Sequence, residues 1–320
     1  MGSLYSDEKG TYLRGKRWNG VQWTDDYHIP NLEFLVASND VAGDDSTLVA
    51  VGAWGGIHEM SIATARYSSV TQTWSQFKPD IEGKLNDVWT DRNGFYAAVG
   101  HNGLIAISED GGKNWKVEKK ADDYVLQGIS GANKNDYFIW GSRYNREESS
   151  YQFAFWRIKN GVWIKWFDSV YKNETRTELS FISDFIGYQF FVPHTEESDT
   201  TQLYLSDNNS AYKISSFENK IVKVRNLEEV PTNADTVNLR ATWIFGTAVN
   251  DVWLSKSLLK FYLWNGLDLY ETNPTQGLPI DGNGGILVDF YQSKSGKVWM
   301  LVELRNSNQI YGVLQGTPVE

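Results

Sequence analysis

The strings most able to do chemistry are a glycine-lysine run near the N-terminus and a set of paired acids. Gly10-Thr11-Tyr12-Leu13-Arg14-Gly15-Lys16-Arg17 has the glycine and lysine spacing of a phosphate-binding loop. Arg17 stands where a hydroxyl residue would hold magnesium, and neither a preceding strand nor a following helix is indicated, so the match reads as chance. Adjacent carboxylates occur at Asp25-Asp26, Asp44-Asp45, Asp122-Asp123, Glu147-Glu148, Glu196-Glu197 and Glu228-Glu229. Acid and base work needs two carboxylates that face one another, whereas neighbours along a strand point to opposite sides. These pairs read as solvated loop charge. Asp91-Arg92-Asn93-Gly94 and Asp281-Gly282-Asn283-Gly284-Gly285 are similar to pieces of calcium loops, yet each lacks the remaining oxygen ligands, and ordinary turns account for both. His28, His58, His101 and His194 are scattered, cysteine is absent, and there is neither a His-Glu-x-x-His helix nor a Gly-x-Ser-x-Gly elbow. The sequence assigns no catalytic residue, no metal ligand and no cofactor, which points away from an enzyme.

The elements that would position any site are strands. The chain has 320 residues, of which 14% are aromatic and 28 are glycine. Aromatic and β-branched residues punctuated by glycine favour strands and turns, and no apolar stripe at helical spacing runs for three turns. The fold class is all-β. A formal charge of −10 argues against a nucleic-acid footprint, which needs a basic stripe, and against an anionic membrane surface. No apolar stretch is long enough to insert in a membrane, and the N-terminus lacks an apolar signal region. A cytoplasmic or virion location follows; a secretory leader removed upstream would instead place the protein outside the cell. Asn173-Glu174-Thr175 and Asn208-Asn209-Ser210 would accept glycans only in that secretory setting.

Three markers recur in order. The first closes a hairpin: Trp18-Asn19-Gly20-Val21-Gln22-Trp23, Trp264-Asn265-Gly266-Leu267-Asp268-Leu269-Tyr270, Lys159-Asn160-Gly161-Val162-Trp163, Phe217-Glu218-Asn219-Lys220-Ile221, Asp110-Gly111-Gly112-Lys113-Asn114-Trp115, and a poorer Val70-Thr71-Gln72-Thr73-Trp74. Asn-Gly between alternating apolar residues is a strong hairpin signal, because both turn residues tolerate positive φ. The second marker is Asn86-Asp87-Val88-Trp89, repeated as Asn250-Asp251-Val252-Trp253 and more loosely as Asn135-Asp136-Tyr137-Phe138 and Ser295-Gly296-Lys297-Val298-Trp299. The third is Val51-Gly52-Ala53-Trp54-Gly55-Gly56-Ile57, matched by Val99-Gly100-His101-Asn102-Gly103-Leu104-Ile105.

A four-stranded unit repeated radially produces such a pattern. The spacing predicts a single domain over 1–320, a six-bladed β-propeller of four-stranded antiparallel blades. Its blades fall near 34–77, 85–119, 126–168, 179–225, 239–271 and 285–315, the last closed by the N-terminal strand at 16–24. Splitting one blade between the termini would leave no free edge.

Ser108-Glu109-Asp110-Gly111-Gly112-Lys113-Asn114-Trp115 fits Ser-x-Asp-x-Gly-x-x-Trp. It resembles the Asp-box, or bacterial neuraminidase repeat, of sialidases, sortilin-type receptors, photosystem assembly propellers and secreted bacterial propellers. The resemblance covers one good copy and implies a structural staple made by Ser108, Asp110, Gly112 and Trp115, on the face opposite the ligand. A sialidase would add an arginine triad, a Tyr-Glu nucleophile pair and an acid Asp. The Arg-Ile-Pro type motif is missing, since His28-Ile29-Pro30 has His in place of Arg, and nothing singles out three of the arginines. The resemblance therefore supports the fold rather than the activity.

In a propeller the loops joining the second and third strands cluster on one rim around the central channel. The repeat alignment places Trp54, His101, Asn102, Arg143, Tyr144, His194, Lys256 and Arg305 there, with the acidic insertion Glu196-Glu197-Ser198-Asp199. The frame Val-Gly-x-x-Gly-x-Ile stays fixed while x-x changes from Ala-Trp to His-Asn, which is how a repeated scaffold builds an asymmetric face. Trp54 and Tyr144 could anchor a protein or stack on a sugar, with Arg143 and Arg305 as polar contacts. The sequence thus predicts an interaction module with protein partners, a structural or receptor-facing component of an assembly such as a phage virion or tail. The alternative is a secreted glycan-binding protein or sialidase-like hydrolase. An arginine-glutamate-tryptophan site in every blade, as in six-bladed fucose lectins, is not found.

Overall fold

The computed structural model describes residues 2–7, 10–18, 23–28, 37–43, 46–56, 59–71, 73–121, 123–148 and 150–171, then 189–191, 202–206, 210–215, 220–226, 243–248, 251–257, 260–265, 267, 269–272, 285–292, 298–304 and 310–316. They belong to two compact units, Met1–Lys172 and Asn173–Glu320. Among the described residues every regular element is a strand except one turn of 3-10 helix, His101–Gly103.

In the first unit β1 (Gly2–Asp7), β2 (Gly10–Trp18) and β3 (Trp23–His28) form a three-stranded sheet. Three four-stranded sheets follow. The second sheet has β4 (Ala37–Gly43), β5 (Thr47–Gly56), β6 (Glu59–Ser68) and β7 (Thr73–Phe77). The third has β8 (Leu85–Thr90), β9 (Tyr96–Gly100), β10 (Leu104–Ser108) and β11 (Lys116–Lys119). The fourth has β12 (Val125–Asn133), β13 (Asp136–Asn145), β14 (Ser150–Lys159) and β15 (Val162–Tyr171).

In the second unit the fifth sheet has β16 (Gln189–Phe191), β17 (Gln202–Ser206), β18 (Ser210–Ser215) and β19 (Lys220–Asn226). The sixth has β20 (Trp243–Ala248), β21 (Asp251–Ser257), β22 (Lys260–Trp264) and β23 (Leu269–Thr272), and the seventh has β24 (Gly285–Gln292), β25 (Val298–Leu304) and β26 (Ile310–Gly316). Each sheet is an antiparallel meander, with the strands hydrogen-bonded in chain order.

The described residues therefore make seven sheets, where the spacing of the markers predicts six. Residues 16–24 are not one strand completing the last sheet: Trp18 pairs with Trp23 across the β2–β3 hairpin, and both strands belong with β1. The reason lies in the hairpin marker. It closes the last hairpin of the first six sheets, whereas the seventh ends, among its described residues, at a third strand. Six markers thus serve seven sheets.

A second correction concerns Asn-Asp-Val-Trp. Asn86-Asp87-Val88-Trp89 lies in β8, a first strand, whereas Asp251-Val252-Trp253 opens β21, a second strand, as Asp136-Tyr137-Phe138 opens β13. The identical string serves two positions. Asn86 is the extra residue of a bulge between Leu85 and Asp87, which face Gly100 and Val99 on β9. The same bulge separates Ser38 from Asp40 on β4, Leu126 from Gly128 on β12 and Leu287 from Asp289 on β24. The true counterpart of Asn86-Asp87-Val88 is Asn39-Asp40-Val41.

The core of the first unit lies between sheets. β9 is buried along its whole length, so its alternation selects a neighbour rather than separating apolar from polar. Tyr96 and Ala98 pack with Val49, Val51 and Ile62 of the second sheet. Phe95, Ala97 and Val99 pack with Leu126, Ile129, Tyr137 and Ile139 of the fourth. Alanine at 97 and 98 lets both neighbours approach, while Phe95 and Tyr96 pack one against each neighbour.

Candidate functional site

The second, third and fourth sheets share a common frame at the end of their second strands. Gly52, Gly100 and Gly141 each pair with the residue just before the first-strand bulge: Ser38, Leu85 and Leu126. Counted from these glycines, Trp54, Asn102 and Arg143 occupy equivalent positions. The surrounding hairpins differ in length. β5–β6 continues to the pair Gly56–Glu59 and β13–β14 to Asn145–Ser150, whereas β9 stops at Gly100 and turns through His101–Gly103. Two projecting hairpins therefore flank a short turn, one carrying Trp54 and Met60, the other Arg143 and Tyr144.

Backbone hydrogen bonds tie this edge into one strip. Gly83 N–H donates to the Met60 carbonyl at 2.8 Å, His101 N–H to that of Lys84 at 2.9 Å, and Gly103 N–H to that of Tyr124 at 2.7 Å. Gly103 in turn accepts from Lys120 N–H at 3.1 Å. Only glycine fits at 103, where φ is +65° and a Cβ would lie 2.2 Å from the Ala121 carbonyl oxygen. Asn102 is exposed and takes the left-handed conformation, φ 56°, which asparagine tolerates better than most residues. The His101 imidazole is half-buried; desolvation first, then the nearby Lys84 charge, lowers its pKa.

At the far end the Arg143 guanidinium lies 5.0 Å from the Tyr124 ring centroid, and its NH1 approaches Asp123 Oδ2 at 3.4 Å. Arg143 Nε also donates to Gln152 Oε1. Tyr124 is buried edge-on against Trp156 at 5.0 Å, so the arginine rests on a fixed aromatic platform. Tyr144, the next residue along β13, is 50% exposed. Trp54, His101, Asn102, Arg143 and Tyr144 thus share one edge of the first unit. Lys256 lies on β21 in the second unit, at the irregularity between Ser255 and Ser257. His194 and Arg305 lie outside the described residues, as does the acidic insertion at 196–199.

The turn between β10 and β11 holds the Ser108-to-Trp115 string. Asp110 Oδ1 accepts the amides of Lys113 at 3.1 Å and Asn114 at 2.9 Å, and Asp110 Oδ2 accepts Asn114 Nδ2 at 2.7 Å. Ser108 Oγ donates to Asp110 Oδ1 at 2.8 Å and accepts Gly112 N–H at 2.9 Å. Trp115 is buried beneath the turn and donates its indole N–H to the Gly112 carbonyl at 3.1 Å. Gly112, at φ +78°, sits against the second sheet: a Cβ there would meet Val49 Cγ2 at 2.6 Å. The turn therefore fastens one sheet to the next.

Sequence reasoning missed two parts of this region. Tyr124, Asp123 and Gln152 support Arg143 from other strands, and no local string signals that. The bulge acids Asp40 and Asp87 did leave a signal, the repeated Asn-Asp-Val, which was masked by the stronger match at Asn250. Asp91 is a turn residue, its Oδ1 accepting the amides of Asn93 at 2.7 Å and Phe95 at 3.1 Å. Among the described residues no three His, Asp or Glu side chains converge as metal ligands, and no helix is long and apolar enough to cross a membrane.

No family model matches the sequence, and none of the curated proteins does. Among solved structures, YCF48 bound to a D1 peptide is similar with a TM-score of 0.58 and 14% identity, over 99% of this chain and 93% of that one. YCF48 from Cyanidioschyzon merolae gives 0.53 and 14%, over 98% and 94%. Acylaminoacyl peptidase from Pyrococcus horikoshii gives 0.51 and 9%, over 83% of this chain and 42% of that one. Together with the antiparallel four-stranded sheets, these likenesses establish the fold as a β-propeller.

Proposed function

We propose that this chain is a non-enzymatic β-propeller interaction module whose seven sheets are its blades. Its partner docks on the strip from Trp54 through His101 and Asn102 to Arg143 and Tyr144. The observation that carries this reading is the contrast within the strip. The backbone frame is the same in three sheets, while the equivalent side chains are tryptophan, asparagine and arginine. A rigid repeated frame with divergent aromatic and arginine positions suits one asymmetric partner better than one small ligand repeated in every blade. The likeness to YCF48, whose solved structure is bound to a D1 peptide, supports a protein or peptide partner. Lys256, His194 and Arg305 are proposed partner contacts of the second unit, and Ser108, Asp110, Gly112 and Trp115 an Asp-box staple. We place the module in a larger assembly, as a structural or receptor-facing component of the kind found in a phage virion or tail.

An acid pair among the described residues, Asp40 with Asp87, supports the non-enzymatic reading. A glycoside hydrolase separates its two carboxyl groups by roughly 5 to 10 Å so that the scissile bond fits between them. Here the two carboxyls meet on a single amide, the Val88 N–H, and Asp87 also accepts the Ile129 amide.

The test is size-exclusion chromatography with light scattering on protein from its native source. A co-migrating chain that Trp54→Ala and Arg143→Ala each release, and that Val70→Asp at an exposed turn remote from the strip retains, supports the reading. A monomer that binds a glycan array through the same two residues would replace it with a lectin.

A further inference from the structure

Asp40 on β4 and Asp87 on β8 bring their carboxyl groups together on one donor, the Val88 N–H. Each also reaches into the next sheet. Asp40 Oδ2 accepts the Val88 amide at 3.1 Å, and Asp87 Oδ2 accepts the Ile129 amide at 2.7 Å, while Asp87 Oδ1 takes its neighbour Val88 N–H at 2.9 Å. Asn86, the bulge residue just before Asp87, donates to the Leu126 carbonyl at 2.8 Å. The first strands of three consecutive sheets are therefore joined through these side chains.

Two carboxyl groups this close repel each other as a doubly charged pair, and a proton held by one of them relieves that repulsion. The sequence of the packed strands explains why that proton stays. β4, β5, β8, β9 and β12 contain no lysine, arginine or histidine. Their remaining titratable side chain is Tyr96, whose hydroxyl donates to the Thr47 carbonyl at 3.3 Å. Lys84 and His101 stand outside these strands, at the rim. The packed strands supply no cation to neutralise a doubly charged pair, which favours retention of a proton.

We infer that Asp40 and Asp87 form a one-proton joint between the second, third and fourth sheets, which loosens, together with the strip at its end, when the pH rises enough to remove that proton. Asp87 lies opposite Val99, close in sequence to His101, so the joint and the strip share the same strand ends. Burial first, then the neighbouring Asp87 charge, hold the Asp40 carboxyl well above the ordinary carboxylate range, and burial raises Asp87 as well. The sign follows: a folded-state pKa above the unfolded one stabilises fully below the unfolded value, and the contribution is lost as pH climbs through the raised value.

The experiment is a carboxyl-carbon NMR titration of the full chain, combined with amide exchange at Val88 and Ile129 from about pH 4 to about pH 9. One carboxyl of the pair should titrate above the ordinary range. Beyond the intrinsic chemistry of exchange, opening at both amides should rise by up to about tenfold per pH unit until the pair is ionised. Asp40→Asn donates permanently to Asp87 and should abolish that pH dependence. If the variant fails to fold, the wild-type titration still decides. Both carboxyls ionising in the ordinary range, or opening at Val88 and Ile129 that is flat with pH in the wild type, would overturn the inference. Neither readout involves the proposed partner.

Discussion

The Arg66 guanidinium reaches from β6 into the neighbouring sheet and donates its Nε–H to the Gly111 carbonyl at 2.6 Å. That carbonyl belongs to the turn that Asp110 organises, so one charged donor links a strand of the second sheet to a hairpin of the third. Sheets that pack by apolar faces can slide; a directional bond at the edge fixes their register. Arg66→Ala should cost about 1–2 kcal/mol, less than the full value of a charge-assisted bond because the freed carbonyl is near solvent. Urea unfolding measures the loss. Arg66→Lys, which keeps the charge without the guanidinium geometry, should recover only part of it.

The Asp110 carboxyl has its pKa lowered to about 2. Burial, the largest single cause, pushes upward, but the Asn114 amide and side chain, the Ser108 hydroxyl and the Lys113 amide together outweigh it. A depressed folded pKa gives stability that is present above the unfolded value, near 4, and lost as the pH falls toward 2. The Lys113 and Asn114 amide resonances should therefore shift with a midpoint close to 2 and should not shift in Asp110→Asn. Local reporters are needed because Glu118, held by Lys116 and Lys120, titrates in the same range.

How much of this was legible depends on whether the signal was local. The Asn160-Gly161 hairpin could be read directly, since both residues take positive φ, 51° and 77°, as a tight turn between paired strands requires. The number of sheets could not be read the same way, because the hairpin marker counts last hairpins and the seventh sheet, among its described residues, supplies none. Asn86-Asp87-Val88-Trp89 and Asn250-Asp251-Val252-Trp253 show the opposite failure: identical strings, but Asp87 follows a bulge in a first strand while Asp251 opens a second strand, a difference set by pairing partners that sequence does not display. Trp54 and Asn102 could be aligned from sequence because each follows a glycine in the frame Val-Gly-x-x-Gly-x-Ile, and pairing adds Arg143 to the same position. Tyr124 was not, because its tie to Arg143 runs between a connecting segment and β13.

Gly103 is the pivot of the strip. Gly103→Ala would force a side chain into the left-handed region and against the Ala121 carbonyl, so the His101–Gly103 turn must move. A loss of about 2 kcal/mol or more is expected, from strain plus displacement of the bonds to Tyr124 and Lys120. Thermal unfolding reports the stability. Fluorescence of a probe attached at Asn102→Cys should report the displaced turn in the folded protein.

The fourth sheet contains a buried ion pair, and it separates cost from contribution. Arg157 Nε and Nη2 meet the two oxygens of Asp136 at 2.7 and 2.5 Å, and both residues are buried. Removing one partner leaves an uncompensated charge inside the sheet, so Asp136→Ala should cost about 3–5 kcal/mol. Replacing both, with Asp136→Leu and Arg157→Met, leaves no buried charge and should cost far less than the single change. Urea unfolding of the two single variants and the double variant closes the cycle. A coupling of several kcal/mol would show that the pair fixes the start of β13 beside the end of β14, where Asp136 pairs with Lys159. Two additive losses would instead mean that the neighbouring Phe138 and Ile158 hold the strands without it.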